Sequence, residues 1–430
     1  MKKKASLSPT RLIALCFLAI ILLGGFLLAL PVSHNLGKSV SLLDAMFTST
    51  SAVCVTGLVV VDTAETFSVF GRCVIAALIQ IGGFGAACIG VGVTLLAGRR
   101  MGLYERRVLR ESWNMDPTSG RDGFFRMVLF ITLAFEVLGA VLSYGVFSHI
   151  FPTWKAVGVS IFHSISSFNN AGFDLMGEMR GFTDYGGNAG LSLITAFLII
   201  SGGLGYLVIA ELVGLRRSHR LTLQARIVLS TTAALIFGGA LVLWLVSDMT
   251  VLEAFFQSVS TRTAGFSTVD MAALPNAAMM AMCLLMFVGA SPGSTGGGVK
   301  TTTAFVAVMS VWASATNGKR QVFRRRVRDD DISKAFTVLL LSALVVLTGT
   351  FFLCVLEPET EFIRLLFEAV SAFATVGLSA GLTPELSDWS RALLMLLMYI
   401  GRLGPITVAS VWFFRPGSSV EYTSEHITIG

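Results

Sequence analysis

The sequence predicts an all-α integral membrane protein made of four helix–loop–helix repeats set in pseudo-fourfold arrangement around one axis. Composition is the first sign. Of 430 residues, 54% are hydrophobic and only 13% charged, about half the charged share of a soluble domain, and the mean hydropathy is +0.76. The second sign is internal repetition. FTSTSAVCVTGL from Phe47, FHSISSFNNAGF from Phe162, FFQSVSTRTAGF from Phe255 and FEAVSAFATVGL from Phe367 each open on Phe, carry Ser, and reach a Gly ten residues later. Each closes on Leu or Phe: Gly57-Leu58, Gly172-Phe173, Gly265-Phe266 and Gly377-Leu378. The third sign is charge placement, since the basic residues gather in a few blocks between the repeats.

The first unit, residues 1–98, has apolar stretches at 11–32 and 68–97 around its Phe47 segment. Its opening stretch is too long for a signal-peptide core and lacks an A-x-A site, so it reads as a retained helix. The second unit, 99–216, brackets the Phe162 segment with 124–150 and 190–215. The third, 217–318, has 223–247 and 276–315, and the fourth, 319–430, has 333–356 and 388–414 before a short tail. About 20 apolar residues cross a bilayer, so the pattern predicts eight transmembrane helices and four re-entrant loops.

Lys2 to Lys4, Arg99, Arg100, Arg106, Arg107 and Arg110 form basic blocks, as do Arg216, Arg217, Arg220, Arg226 and the run GKRQVFRRRVR at 318–328. Asp174, Glu178, Asp184, Asp248, Asp270, Glu357, Glu359 and Glu361 fall between them. Basic loops stay in the cytoplasm. The four Phe–Gly segments therefore face outward, and both termini are cytoplasmic. A formal charge of +6 distributed in this way fits topology and lipid headgroups, not nucleic acid. The 318–328 run is also a candidate contact for a cytosolic partner. Cys16, Cys54, Cys73, Cys88, Cys283 and Cys354 lie scattered in apolar segments without a CxxC pair, and the five histidines form no metal motif. These six read as small hydrophobes. No nucleotide loop or aspartyl-phosphate motif supports an enzyme or pump.

Irregular backbone at membrane depth survives only when buried in protein or lining water. Four such segments, each with one glycine at the same spacing, imply a ring around one pore. Glycine tolerates left-handed dihedrals and lets backbone carbonyls turn inward. A ring of carbonyl oxygens replaces the hydration shell of potassium.

On these residues, and on IGRLGPITVASVWFF near the end, the chain resembles the Trk/Ktr/HKT superfamily of potassium transporters along nearly its whole length. The resemblance implies four helix–pore-loop–helix units around one pore, with Gly57, Gly172, Gly265 and Gly377 as the filter glycines. The carbonyls of Val55 and Thr56, Asn170 and Ala171, Thr263 and Ala264, and Thr375 and Val376 complete the ion sites. Glycine at the first filter position favours potassium, where plant members with serine tend to select sodium. The chain is closest to the Ktr-type membrane (B) subunit, having no additional helix pair before the first unit and the short tail EYTSEHITIG. That implies a homodimer in the plasma membrane, docked on a cytosolic ring of nucleotide-binding regulatory subunits. Potassium is the transported ion, sodium dependence stays open, and no cofactor is implied.

The second helix of each unit carries a glycine knot: QIGGFG at 80–85, ISGGLG at 200–205 and IGRLGP at 400–405. In the third unit GASPGSTGGGVKTTT, 289–303, takes its place. Gly289 lies 24 residues after Gly265, as Gly401 does after Gly377. The stretch nearly matches a phosphate-binding loop, but Val299 stands where the lysine belongs and Lys300 comes one place late. Gly289, Pro292, Gly293, Gly296, Gly297 and Gly298 break the helix, glycine costing about 1 kcal/mol and proline about 3. Ser291, Ser294 and Thr295 suit a water-facing wall, and the family's intramembrane gating loop sits at this position. Arg402, at a depth where a charge costs at least ~2.5 kcal/mol, is expected to contact this loop and repel cations. Arg262 is expected to brace its filter loop by hydrogen bonds. Asp62, Glu65, Asp174 and Asp270 are candidates for concentrating cations at the mouth. The competing readings are a sodium-conducting pore and an alternating-access cation symporter built around a broken helix.

Overall fold

In the computed structural model, residues 9–85, 124–177, 181–218 and 221–413 are described. Lys2 to Lys4, the arginines from Arg99 to Arg110, Cys88, Glu178, Arg220, the 86–97 part of the first unit's second apolar stretch and the EYTSEHITIG tail lie outside them.

Among the described residues, four helices are each long and apolar enough to cross a membrane: α1 (Pro9–Ala29), α5 (Phe124–Phe147), α9 (Leu223–Val246) and α13 (Asp329–Leu356). Each is followed by a shorter helix leading to a repeat glycine: α2 (Leu42–Cys54), α6 (Thr153–Phe168), α10 (Val251–Ser260) and α14 (Phe362–Ala374). Between α2 and the next long element lies the short α3 (Thr63–Thr66). The second apolar stretches differ from the continuous crossings expected. They run as α4 (Val69–Phe84), as α7 (Ala189–Leu204) with α8 (Tyr206–Ser218), as α11 (Asn276–Phe287) with α12 (Thr301–Ala315), and as α15 (Asp388–Leu403) with α16 (Pro405–Phe413). The axes of α7 and α8 meet at 101°. Three of the helix ends, those of α4, α7 and α15, have one local cause. Gly85, Gly205 and Gly404, the last glycine of three knots, take φ/ψ of 78/142, 89/142 and 86/139, a conformation that glycine alone adopts without strain.

Helix starts follow from capping chemistry. Ser41 accepts from the amide of Asp44 and Ser68 from Gly71. Asn188 accepts from Leu191, Thr222 from Ala225 and Ser387 from Ser390. Thr250 and Glu253 close a reciprocal capping box.

A second repeat, unmarked by the Phe–Gly motif, fixes how each unit packs. Gly24, Gly139 and Gly239 each leave room for one hydroxyl on the following short helix, those of Ser49, Ser164 and Ser258. Those hydroxyls donate to the carbonyls of Ile21, Glu136 and Ile236, each three residues before its glycine. Leu78, Leu198 and Leu285 from the second helices complete the contacts, and Leu397 meets Gly349 in the fourth unit. The third unit is offset by one residue. Ser258 precedes its repeat glycine by seven positions and Ser49 precedes its own by eight. Correspondingly Phe256, not Phe255, is fully buried there.

One apolar core runs through all four units, with Phe47, Phe147, Phe173, Phe266 and Phe367 in its interior. First and last units meet through the Arg391–Asp44 ion pair at 2.9 Å and the Tyr399 hydroxyl, which donates to the Ala14 carbonyl at 2.7 Å. The basic 318–328 run contains a hairpin, Gln321–Val322 against Arg325–Arg326, with Arg320 and Arg326 on Asp329.

Candidate functional site

The four repeat glycines lie against one another in a closed cycle. A Cβ on Gly57 would stand 2.6 Å from the Ala171 carbonyl oxygen, one on Gly172 2.8 Å from that of Ala264, and one on Gly265 2.5 Å from that of Val376. On Gly377 it would collide with the carbonyl of Thr56, which returns the cycle to the first unit. The four carbonyls preceding the glycines thus stand shoulder to shoulder with no side chain between them.

The backbone that produces this is the same in all four units. Val55, Asn170, Thr263 and Thr375, each two residues before its glycine, have φ of 57, 58, 71 and 53°. The glycines follow at 97, 71, 79 and 93°. Two positive-φ residues separated by a single residue reverse the chain sharply after each short helix. For β-branched Val55, Thr263 and Thr375 this conformation costs of order 1–3 kcal/mol, so surrounding contacts must hold it. They do. The amides of Thr56, Ala171 and Val376 donate to the carbonyls of Ser51, Ser166 and Ser371, while Ala264 uses Ser260, one residue nearer. The hydroxyls of Ser51 and Ser371 also receive the amides of Gly57 and Gly377, both at 3.0 Å. Val55, Thr56, Asn170, Ala171, Thr263, Ala264, Thr375 and Val376 are all fully buried.

On one side of the cycle opens a cavity of about 420 Å³ whose wall includes the four glycines with Asp62, Asp174, Asp184 and Asp270. Burial raises the Asp174 carboxyl to about 6, with Asp62 adding to it and the Met176 amide opposing. Glu65 is not part of this wall; its amide donates to Asp62, which caps the short α3, and its carboxylate pairs with Lys38 at 3.9 Å. Asp184 belongs to it instead, brought there by a loop that no motif marks.

On the other side lies the 289–301 segment, held on several faces. Its ends pair through Gly289 and Val299, the Gly289 amide donating at 2.8 Å. The break after α7 frees the carbonyls of Gly203 and Gly202, which take the amides of Ser291 at 3.1 Å and Thr295 at 3.4 Å. The Tyr206 amide donates to Gly293. The Gly297 amide donates to the Thr375 hydroxyl at 3.0 Å, and Lys300 reaches back to the Gly296 carbonyl. Ser294 closes a turn onto the Ser291 carbonyl. Ser291 and Thr295 are fully buried, not water-facing: Ser291 meets Thr301 and Thr295 meets the Phe168 carbonyl. The glycines serve close approach. A Cβ on Gly296 would strike Thr263, one on Gly297 would strike Thr375, and one on Gly298 would crowd Ala374. Pro292 leaves its carbonyl against Gly205.

Arg402 donates to the carbonyls of Thr295 and Gly82, tying the segment to the fourth and first units. Arg262 does not make the hydrogen-bonded brace expected of it. It is 4% exposed, and its Nε and Nη2 have no partner among the described residues. A signal missed in the sequence is Glu136, a lone carboxylate inside a long apolar run, which receives hydrogen bonds from Gln80 and Asn169.

The family model of a cation transport protein, TrkH, matches residues 25–231 and 226–415. The potassium/sodium uptake protein NtpJ of Enterococcus hirae is 36% identical over 451 residues, covering 100% of this chain and 99% of that protein. The Ktr system potassium uptake protein B of Bacillus subtilis is 34% identical over 443 residues, 98% and 97% of the two chains. The crystal structure of the potassium transporter TrkH from Vibrio parahaemolyticus superposes with a TM-score of 0.74 at 18% identity, covering 96% of this chain and 86% of that one, a likeness of fold. With a helical, apolar fold of this kind and relatives matching end to end, the chain is a membrane protein that belongs to the TrkH family of cation transport proteins.

Proposed function

We propose that this chain takes up potassium across the plasma membrane through a filter of backbone carbonyls, gated from below by the 289–303 segment. The observation that carries this reading is the closed cycle in which each of Gly57, Gly172, Gly265 and Gly377 faces the carbonyl preceding its neighbour. Main-chain oxygens on one axis coordinate a dehydrated cation without fixed negative charge, and so release it quickly. The carbonyls of Val55, Asn170, Thr263 and Thr375, one residue deeper, supply a second tier. Potassium here is cargo, held at the filter only.

The four units act as helix–pore-loop–helix repeats with eight crossings, the basic loops on the cytoplasmic side and both termini with them. The acidic cavity draws cations to the outer mouth. Beneath the filter, the segment containing Gly289, Ser291 to Gly298 and Lys300 closes the path, and Arg402 latches it. Burial supports a latch over a free hinge: opening must exchange these bonds for others, so an outside source of energy is needed. A cytosolic nucleotide-binding regulatory ring, implied for Ktr-type systems, would supply it to a homodimer of this chain.

Rescue of potassium-uptake-deficient cells on low-potassium medium, with and without sodium, tests the reading. Growth restored by the chain supports it. Cation uptake that excludes potassium and carries only sodium would replace it with the sodium-conducting alternative.

A further inference from the structure

Among the described residues, Glu136 is the only carboxylate within the interior of the four long helices, the acids of α13 lying in its first turn. It is 7% exposed and forms no ion pair with any described residue. Two neutral amides hold it instead. Gln80 Nε2 donates to both carboxylate oxygens at 2.7 and 2.8 Å, and Asn169 Nδ2 donates to Oε1 at 3.0 Å and to Gln80 Oε1 at 2.6 Å. Packing alone does not require an acid here. The equivalent positions, three residues before Gly24, Gly239 and Gly349, are Ile21, Ile236 and Val346, and in two of them the same serine-to-carbonyl bond forms without a polar side chain. A buried carboxylate without a cation costs stability, so its retention points to what it holds.

Both residues it holds are close in sequence to groups of the proposed filter and latch. Asn169 directly precedes Asn170, the left-handed residue of the second unit's turn. Gly83 lacks the Cβ that would strike the Asn169 side chain. Gln80 lies two residues before Gly82, whose carbonyl takes Arg402. We infer that Glu136 is a positioning residue for ion selection. Its carboxylate clamps the second unit's filter turn to the first unit's second helix and so fixes the radius of the carbonyl cycle on that side. The inference rests on the filter reading above.

The experiment is tracer uptake in potassium-uptake-deficient cells, at matched membrane abundance, for the parent chain, Glu136→Gln, and Glu136→Gln combined with Gln80→Glu. In the single variant a new NH2 group faces the Gln80 NH2. The swapped pair restores one carboxylate between two amides and keeps both acceptors of Asn169. Discrimination of potassium over sodium should fall about tenfold in the single variant, as loss of one hydrogen bond to a charged group implies, and should return in the swapped pair. Unchanged discrimination in Glu136→Gln overturns the inference, as does a loss that the swapped pair fails to recover. A parent chain that carries no potassium overturns the filter reading, and this inference with it.

Discussion

At the scale of single residues, the decisive groups are those that lack side chains or hold unusual dihedrals. Gly172 has both positive φ and a neighbour's carbonyl where its Cβ would be. Gly172→Ala should therefore push the Ala264 carbonyl off the axis and lower potassium-over-sodium discrimination at least about tenfold, an energy of about 1.4 kcal/mol; tracer competition measures it. The glycine positions were legible in the sequence because a ten-residue spacing recurs without gaps. The left-handed residues before them were not, since Val and Thr disfavour that conformation and only the tertiary bonds around the turn impose it. Arg262 escaped for a similar reason: an arginine beside a filter is expected to find partners, and a sequence does not reveal that its side chain is buried with Nε and Nη2 unmatched among the described residues. Asp174 yields a pH prediction. Its carboxyl is raised to about 6 by burial, so it is charged above that pH and neutral below. Apparent potassium affinity should fall as external pH drops through about 6. Asp174→Asn should remove this component, and uptake measured from pH 5 to 8 would reveal whether it does.

At the scale of elements, the broken second helices matter most. Their carbonyls, released at Gly82, Gly202 and Gly203, are the groups that Arg402 and the 289–301 segment use. The glycine knots and their common depth could be read from the sequence, yet the breaks in the second and fourth units could not. A single glycine weakens a helix by about 1 kcal/mol, and only the φ/ψ pair near 80/140° ends it. The Gly296–Gly298 run reads in the sequence as a helix break, whereas in the structure Thr263, Thr375 and Ala374 occupy the space that side chains there would need. Arg402→Ala removes two bonds to the closed arrangement and a positive charge from the path. Uptake without regulator should rise several-fold, each bond being worth about 1 kcal/mol or somewhat more. A rate at or below that of the parent chain, at equal abundance, would argue against a latch. The one-residue offset of the third unit was hidden because the Phe255–Gly265 spacing equals the others while the helix beneath it does not.

At the scale of the whole molecule, the beginning and the end of the chain are joined directly. The Asp44–Arg391 pair joins residues 347 positions apart at 2.9 Å, and both side chains are largely buried. Asp44→Ala leaves the guanidinium partly unpaired, so stability should drop by about 1–3 kcal/mol, read as a lower thermal midpoint in detergent. The corresponding loss should be much smaller for the exposed Arg328–Asp331 pair. The membrane class and the helical, apolar fold were legible because hydropathy survives in a linear chain. The acidic wall was legible only in part: Asp184 reaches it and Glu65 does not, because loops decide which charges face the cavity. The central claim is that main-chain oxygens of Thr56, Ala171, Ala264 and Val376 bind the permeating ion. Anomalous diffraction from crystals grown in rubidium tests it most directly. A peak on the axis enclosed by those four carbonyls is the predicted result; an empty axis, with rubidium bound only among the outer aspartates, would contradict it.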